Sequence, residues 1–593
     1  MYVNDPHSFA KPDEAIVKHL DLDIVVDFET KILSGKATFK IENRKNVSRI
    51  ILDTRDLTIT KVTLNKDETP AAFSLGEPVK YLGSALTISI NPQTEFITIH
   101  YTTRPDAGAL QWLGKEQTAG KKSPFFFTQS QAILARTWVP CQDGPGIRFT
   151  YSATVHVPKD LMAVMSAENP VALNNDGVYH FNMPQPIPAY LLALAVGDIV
   201  FRPIGKLTGV YAEPVTIDKA TYEFADLEKM VVTAEKIYGP YEWGRYDLIV
   251  LPPSFPFGGM ENPRLTFCTP TILAGDRSLV SLVAHELAHS WSGNLVTNAN
   301  WNDFWMNEGF TVYFENRIME ALYGKPFSDM QTLLGLEDLK ETVAELGQTS
   351  ADTHLKLNLN DRDPDDGVSD IAYEKGRFLL LLIEQTVGRD RFDTFLKNYF
   401  QKHKFQSITT EQFLTEYKND LIQNDSTTAA KIDIERWVYG PGIPDNCPKI
   451  VSERFNAVDA SVIAWKNGTL AKKLNTKEYS SNEWLRFLRS LPEKMTLKQM
   501  TELDEAFHFT KSGNGEILCV WLEHSITAQY TPAYPALENF LENVGRRKFC
   551  KPLYKAMAKS PEGMVYAKKI YSKARPNYHS VTRGTIDEIL GWK

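Results

Sequence analysis

Cysteine is scarce in this 593-residue chain. There are five, at positions 141, 268, 447, 519 and 550, an odd number, widely scattered and without a CxxC pair. That usage argues against a disulfide framework and reads as reduced, mostly buried thiols in a reducing compartment. Basic charge is also short: 65 Lys and Arg stand against 73 Asp and Glu, for a net charge of -8. The balance favours solubility and gives no sign of a cationic nucleic-acid surface. Long apolar runs are missing. The best, AYLLALAVG and FLLLLI, fall well short of the roughly 20 residues a membrane-spanning helix needs. The opening MYVNDPHSFAKPDEAIVKHL lacks a basic start followed by an apolar stretch, so no signal peptide is expected. These absences point to a cytoplasmic protein with neither membrane nor nucleic acid as partner, and a monomer is the working expectation.

What is present is the mix of a globular protein, 43% hydrophobic and 23% charged, at a length that suggests about three to four domains. The first two hundred residues are strand-rich. In KATFKIENR, Ala37, Phe39 and Ile41 alternate with Thr38 and Lys40, the period of a half-buried strand. RIILDT, DLTITKVTLN, ALTISI, EFITIHYTT and RFTYSATVHV follow with turn residues between them, so an antiparallel β domain is expected over 1–201. From 202 to 440 the periodicity becomes helical in places. YGPGIPDNCPK then packs three prolines and two glycines into eleven residues, which predicts a linker at 441–451. Beyond it, WLRFLRSL, LKQMTELDEAF, ILCVWLEHSI, ALENFLENV and PLYKAMAK carry apolar residues at helical spacing, predicting a helical array over 452–593.

The chemistry lies in the middle. HELAH places His285 and His289 one helical turn apart, so both imidazoles can reach one ion. Glu286 then stands about 100° round the helix, beside the metal but off the ligand row. Asp276 or Ser278 caps the expected helix, Leu279, Leu282 and Val283 give its apolar face, and Gly293 closes it. A catalytic zinc requires a third protein ligand and an open position. Glu308 supplies it from a second helix capped by Asn302 or Asp303 and ended by Gly324. Glu315, two turns further on, reads first as a solvated surface charge and second as outer support for the site. Upstream, FPFGGMEN sets two bare residues, Gly258 and Gly259, beside the carboxylate Glu261. A surface turn and a site of close backbone approach both fit that pattern.

HELAH, eighteen residues, and then Glu308 within WMNEG resembles the gluzincin zinc aminopeptidases, and FPFGGMEN is similar to their exopeptidase signature. FTQSQAI, VPCQDGP, AGDRSLVSLVAHELAHSW, GNLVTN and YEKG stand in the order expected of that family, and the likeness runs on to GRRKF near the C-terminus. The resemblance implies a multidomain α+β protein: a saddle-like β domain, a thermolysin-like catalytic domain and a C-terminal α-α superhelix. It also implies one Zn²⁺ per chain and short peptides with a free N-terminus as substrates. Glu286 would be the general base and Tyr373 the oxyanion donor. Glu261 and Gln131 would hold the substrate's ammonium group, with Gln129 a weaker candidate. Gly258, Gly259, Met260 and Asn262 would complete the segment along which the peptide lies. Arg546 and Lys548 would take its carboxylate. Asp365 matches, with Asp366 beside it as the alternative register, an aspartate that serves an epoxide hydrolase activity in one branch of the family, while Phe257 and Val368 replace two of that branch's pocket tyrosines.

Overall fold

The computed structural model describes residues 4–592. The alternating run around Ala37 lies in a strand, Ile32–Asn43, whose inward side chains Ala37, Phe39 and Ile41 are all buried. It belongs to a seven-stranded sheet and pairs antiparallel with both Ala15–Asp27 and Phe96–Thr102. The sheet departs from the purely antiparallel expectation at one seam, where Ala15–Asp27 runs parallel to Arg148–His156. A chain segment of this length between two strands leaves either direction open, whereas a tight hairpin would have forced the antiparallel one.

A second, five-stranded sheet carries one wall of the site. Its strands are β1 (Val200–Pro203), β2 (Thr208–Ala212), β3 (Tyr246–Val250), β4 (Gly259–Met260) and β5 (Leu265–Cys268), in the order β1-β2-β3-β5-β4. β3 is buried at every residue, as a central parallel strand between β2 and β5 should be. The short β4 pairs only with β5 and forms the sheet's edge. FPFGGMEN is therefore more than a turn: Gly259 and Met260 within it form an edge strand.

Four helices follow, α1 (Ser281–Ala288), α2 (Trp305–Tyr323), α3 (Lys325–Leu346) and α4 (Gly376–Val387); α1 packs on that edge, α2 packs on α1, and α3 and α4 pack on α2. α1 is shorter than expected, with His289 already at its C-cap and Gly293 lying beyond the end. α2 ends at Gly324 as expected, but the turn before it is capped by Asn300, whose side chain accepts from the Asn302 N–H. α2 and α4 approach very closely. A Cβ on Gly309 would sit 2.8 Å from the Gly376 Cα, so only paired glycines permit the crossing. That contact brings the π-turn Ile371–Lys375, and with it Tyr373, against the segment carrying Glu308.

Residues 440–452 form no helix or strand. The helices that follow, among them Ser481–Arg489, Leu497–Phe507, α5 (Gly515–Thr527), Tyr534–Asn543 and α6 (Arg547–Ala558), enclose a hydrophobic core of their own. Backbone bonds strap this helical layer to the loop before β4. The Gly545 N–H donates to Pro253 O and the Arg547 N–H to Pro256 O, each at 2.8 Å. No helix among the described residues is long and apolar enough to cross a membrane.

Candidate metal centre and substrate cleft

α1 and α2 bring three ligand atoms to one point. His285 Nε2 and His289 Nε2 lie 3.1 Å apart, and Glu308 Oε2 is 3.3 Å from the first and 3.5 Å from the second. A tetrahedral zinc with bonds of about 2.0–2.2 Å needs ligand atoms roughly 3.3–3.6 Å apart. The residues therefore fit the ion. Each imidazole is oriented through its other nitrogen: His285 Nδ1 faces Glu315 Oε2 at 3.1 Å, and His289 Nδ1 faces Ser292 O at 3.0 Å. Those acceptors fix the tautomer that leaves Nε2 free for a metal. Glu315 is thus the outer support of the site rather than a solvated surface charge, and its side chain is only 15% exposed.

Beside the ligands sit two more buried carboxylates. Glu261 and Glu286 are each 4% exposed, and each has an oxygen with no hydrogen-bond partner. Burial, reinforced by the charges of Glu261 and Glu308, pushes the Glu286 carboxyl up to about 8 against the pull of His285 and His289. A dication at the ligand atoms would draw it down again. Burial likewise raises Glu261, with His289 opposing. Tyr373 stacks on His285 with ring centroids 6.2 Å apart. Burial, with the charge of Glu308 beside it, holds its hydroxyl well above the ordinary phenol range, so it stays a proton donor.

One cavity of about 620 Å³ joins these groups. Its wall includes Gln131, Gly258, Gly259, Glu261, Asp365, Arg546 and Lys548. Three expected substrate-binding residues lie behind the wall instead. Met260 turns its side chain inward, where its sulfur accepts from Gln129 Nε2 at 3.1 Å, and Asn262 is 2% exposed. On an edge strand successive side chains alternate faces, so Met260 cannot share the cleft face with both of its neighbours. Asp365 reaches the cavity from the turn Pro364–Gly367. Burial and Asp363 raise its carboxyl to about 7 against Arg547 and Arg55.

The two glycines now have specific tasks. A Cβ on Gly259 would lie 2.3 Å from Glu286 Oε1, and one on Gly258 would lie 2.7 Å from Arg546 Nη2. They clear room for the Glu286 carboxylate and for the distal arginine, as well as for a ligand. Gly258→Ala should therefore raise KM several-fold for peptides with a free carboxylate and change KM less for their amides, which steady-state kinetics on matched pairs would show. Equal effects on both would disconnect Gly258 from Arg546.

Sequence reasoning missed Glu516 entirely. At the start of α5 it meets Arg546 Nη1 at 3.1 Å and Lys548 Nζ at 2.8 Å. A lone glutamate on an amphipathic helix carries no local signal of such a role; only the packing of α5 against α6 reveals it.

Fold and site together define a zinc-dependent metallopeptidase. The chain matches three family descriptions in succession: the peptidase M1 N-terminal domain over residues 16–191, the peptidase family M1 domain over 222–437, and the leukotriene A4 hydrolase C-terminal domain over 479–590. It is 39% identical to leukotriene A-4 hydrolase of Xenopus laevis over 99% of both chains. It is 37% identical to leucine aminopeptidase 2 of Yarrowia lipolytica, covering 99% of this chain and 93% of that one. A solved structure of yeast LTA4 hydrolase in complex with bestatin superposes with a TM-score of 0.91 at 34% identity, covering 99% and 97% of the two chains. This chain belongs to peptidase family M1, the zinc aminopeptidases, and has the three-domain layout of leukotriene A4 hydrolases.

Proposed function

We propose that the protein removes single amino acids from the N-terminus of short peptides, in the cytoplasm, using one zinc ion per chain held by His285, His289 and Glu308. The observation that carries the exopeptidase reading is Glu261. A buried carboxylate with an unpartnered oxygen at the wall of a cleft calls for a cation, and a free α-ammonium answers it with a charge-assisted hydrogen bond. Gln131, on the wall of the same cleft, carries an amide oxygen that can accept from the same group. The open edge of β4 suits a peptide laid down as an added strand. The cavity has the size of a small-ligand pocket, roughly 300–1,000 Å³, which favours a short peptide over a folded protein.

When bound, zinc polarises the scissile carbonyl and lowers the pKa of a coordinated water towards about 7. Glu286 takes the proton of the attacking water and returns it to the leaving amine. Tyr373 donates its hydroxyl proton in a hydrogen bond to the oxyanion. Glu261 and Gln131 fix the ammonium group, and with it the register of cleavage. Arg546 and Lys548 bind the carboxylate of a short substrate.

A second reading, hydrolysis of a leukotriene A4-type epoxide, draws support from Asp365 in the same cavity. Val368 and Phe257 line that cavity too and bring no hydroxyl to it, which favours the peptide reading. Turnover of aminoacyl-nitroanilides, tripeptides and leukotriene A4, each with and without chelator, separates the two. Metal analysis should return about one zinc per chain, with peptide turnover rising and falling with metal content. Full activity in a metal-free preparation would sink the reading.

A further inference from the structure

Arg546 and Lys548 already hold a carboxylate. Glu516 bridges them, one oxygen on each: Oε1 at 3.1 Å from Arg546 Nη1 and Oε2 at 2.8 Å from Lys548 Nζ. This is the two-point arrangement that an incoming peptide carboxylate would itself adopt. Glu516, Arg546 and Lys548 all line the cleft. Burial alone would raise the Glu516 carboxyl, but Lys548 and Arg546, with Arg489, outweigh it and hold it down to about 2. It is therefore ionised throughout the working range. A further cation on the same wall, Arg489, is paired with Asp338 at 2.8 Å.

Two roles are open to such a glutamate, clamp or competitor, and the surroundings of the two cations decide between them. Arg546 is 6% exposed and does not depend on Glu516 for its place. Its guanidinium lies 4.7 Å from the Phe549 ring centre, Nη1 also meets Thr271 Oγ1 at 3.3 Å, and Nη2 abuts Gly258. Its Nε is buried without a partner. The Lys548 side chain is 58% exposed and free to swing between acceptors. Removing Glu516 would thus leave the cations in position and raise their net charge.

We propose that Glu516 is an internal competitor for the peptide's terminal carboxylate, retaking Arg546 and Lys548 when the shortened product departs. The proposal rests on the reading of Arg546 and Lys548 as the carboxylate subsite. Its consequence follows from the reaction. Loss of the first residue leaves the remaining peptide with the same carboxylate on the same cations, and only one amino acid shorter. A subsite with two unopposed charges would retain that product, whereas one with an intramolecular acceptor waiting releases it. Glu516 touches no reacting atom; it is a positioning residue for release and for the choice between acids and amides.

The test is product inhibition of the zinc enzyme, with alanyl-p-nitroanilide as a reporter that carries no carboxylate. Inhibition constants are measured for Ala-Ala and for Ala-Ala amide, with native protein and with Glu516→Gln, which keeps shape and removes charge. Native protein should bind the acid better than the amide. In Glu516→Gln that preference should widen roughly tenfold, the weight of one charge-assisted hydrogen bond. Zinc content of the variant confirms that the site is intact. An unchanged or narrowed preference would overturn the proposal, the narrowed case showing Glu516 to be a clamp. Equal binding of acid and amide by native protein would also overturn it, by removing the subsite. Failure of the native enzyme to cleave the anilide would overturn the aminopeptidase reading instead, so the two failures are distinct.

Discussion

Glu286→Gln should keep about one zinc per chain and lose peptide hydrolysis by roughly two to four orders of magnitude, the usual weight of general base catalysis. The substitution is nearly isosteric, and the site leaves no slack for another shape. Oε1 lies where a Cβ on Gly259 would come within 2.3 Å, and Glu286 is only 4% exposed. The expected metal retention is not trivial, because a rival ligand set exists. Glu261, Glu286 and His289 also place their ligating atoms within 4.8 Å of one another. Two observations favour the set without Glu286. His285, His289 and Glu308 converge at 3.1–3.5 Å, and both histidines are oriented for that point by Glu315 and the Ser292 carbonyl. Metal analysis alongside kinetics decides the matter. If zinc and activity vanish together, Glu286 is a ligand and the base must be sought elsewhere.

The ligand set was legible in the sequence because each half of it is local. A helix fixes the relation of His285 to His289 within one turn, and Glu308 follows on the next helix, whose end at Gly324 is recognisable. The strands were legible for a similar reason: a half-buried strand writes its burial as alternation, and RIILDT coincides with the observed Arg49–Thr54. What failed to show was non-local. Gly309 and Gly376 look like ordinary helix residues until two helices cross on them. Gly258 was readable as a place of close approach, but not as the glycine that makes room for Arg546, nearly three hundred residues away. Glu516 had no signature at all. Gln129, Met260 and Asn262 keep their side chains out of the cleft, which stayed hidden because a motif gives residues in order, not the direction each side chain takes. The caps were misjudged for another reason: Asn302 and Asp303 are competent, but the chain enters α2 through a short turn that contains both, Asn300 caps that turn and Phe304 stands at the N-cap of α2.

Glu261→Gln should cost free-amine peptides roughly ten- to 150-fold in kcat/KM, the value of a hydrogen bond to a charged group. In the native site the carboxylate is 4% exposed with an oxygen unpartnered, so little solvent screens its attraction for an ammonium group. On the reading proposed above, the neighbouring carboxylates Glu286 and Glu308 serve proton transfer and the metal, and Gln131 is neutral. Glutamine at 261 preserves packing and one acceptor but abolishes the charge. Acetylating the peptide's amine removes the same interaction from the other side, so it should cripple turnover by the native enzyme and add little further loss in the variant. Two changes that delete one contact do not add, whereas independent changes do. The measurement is therefore a four-way comparison of kcat/KM: native and Glu261→Gln, free and acetylated tripeptide. Additive losses would mean that Glu261 acts on something other than the ammonium group. Near-equal cleavage of acetylated and free peptides by the native enzyme would mean an endopeptidase, with the segment containing β4 serving only to bind the peptide backbone.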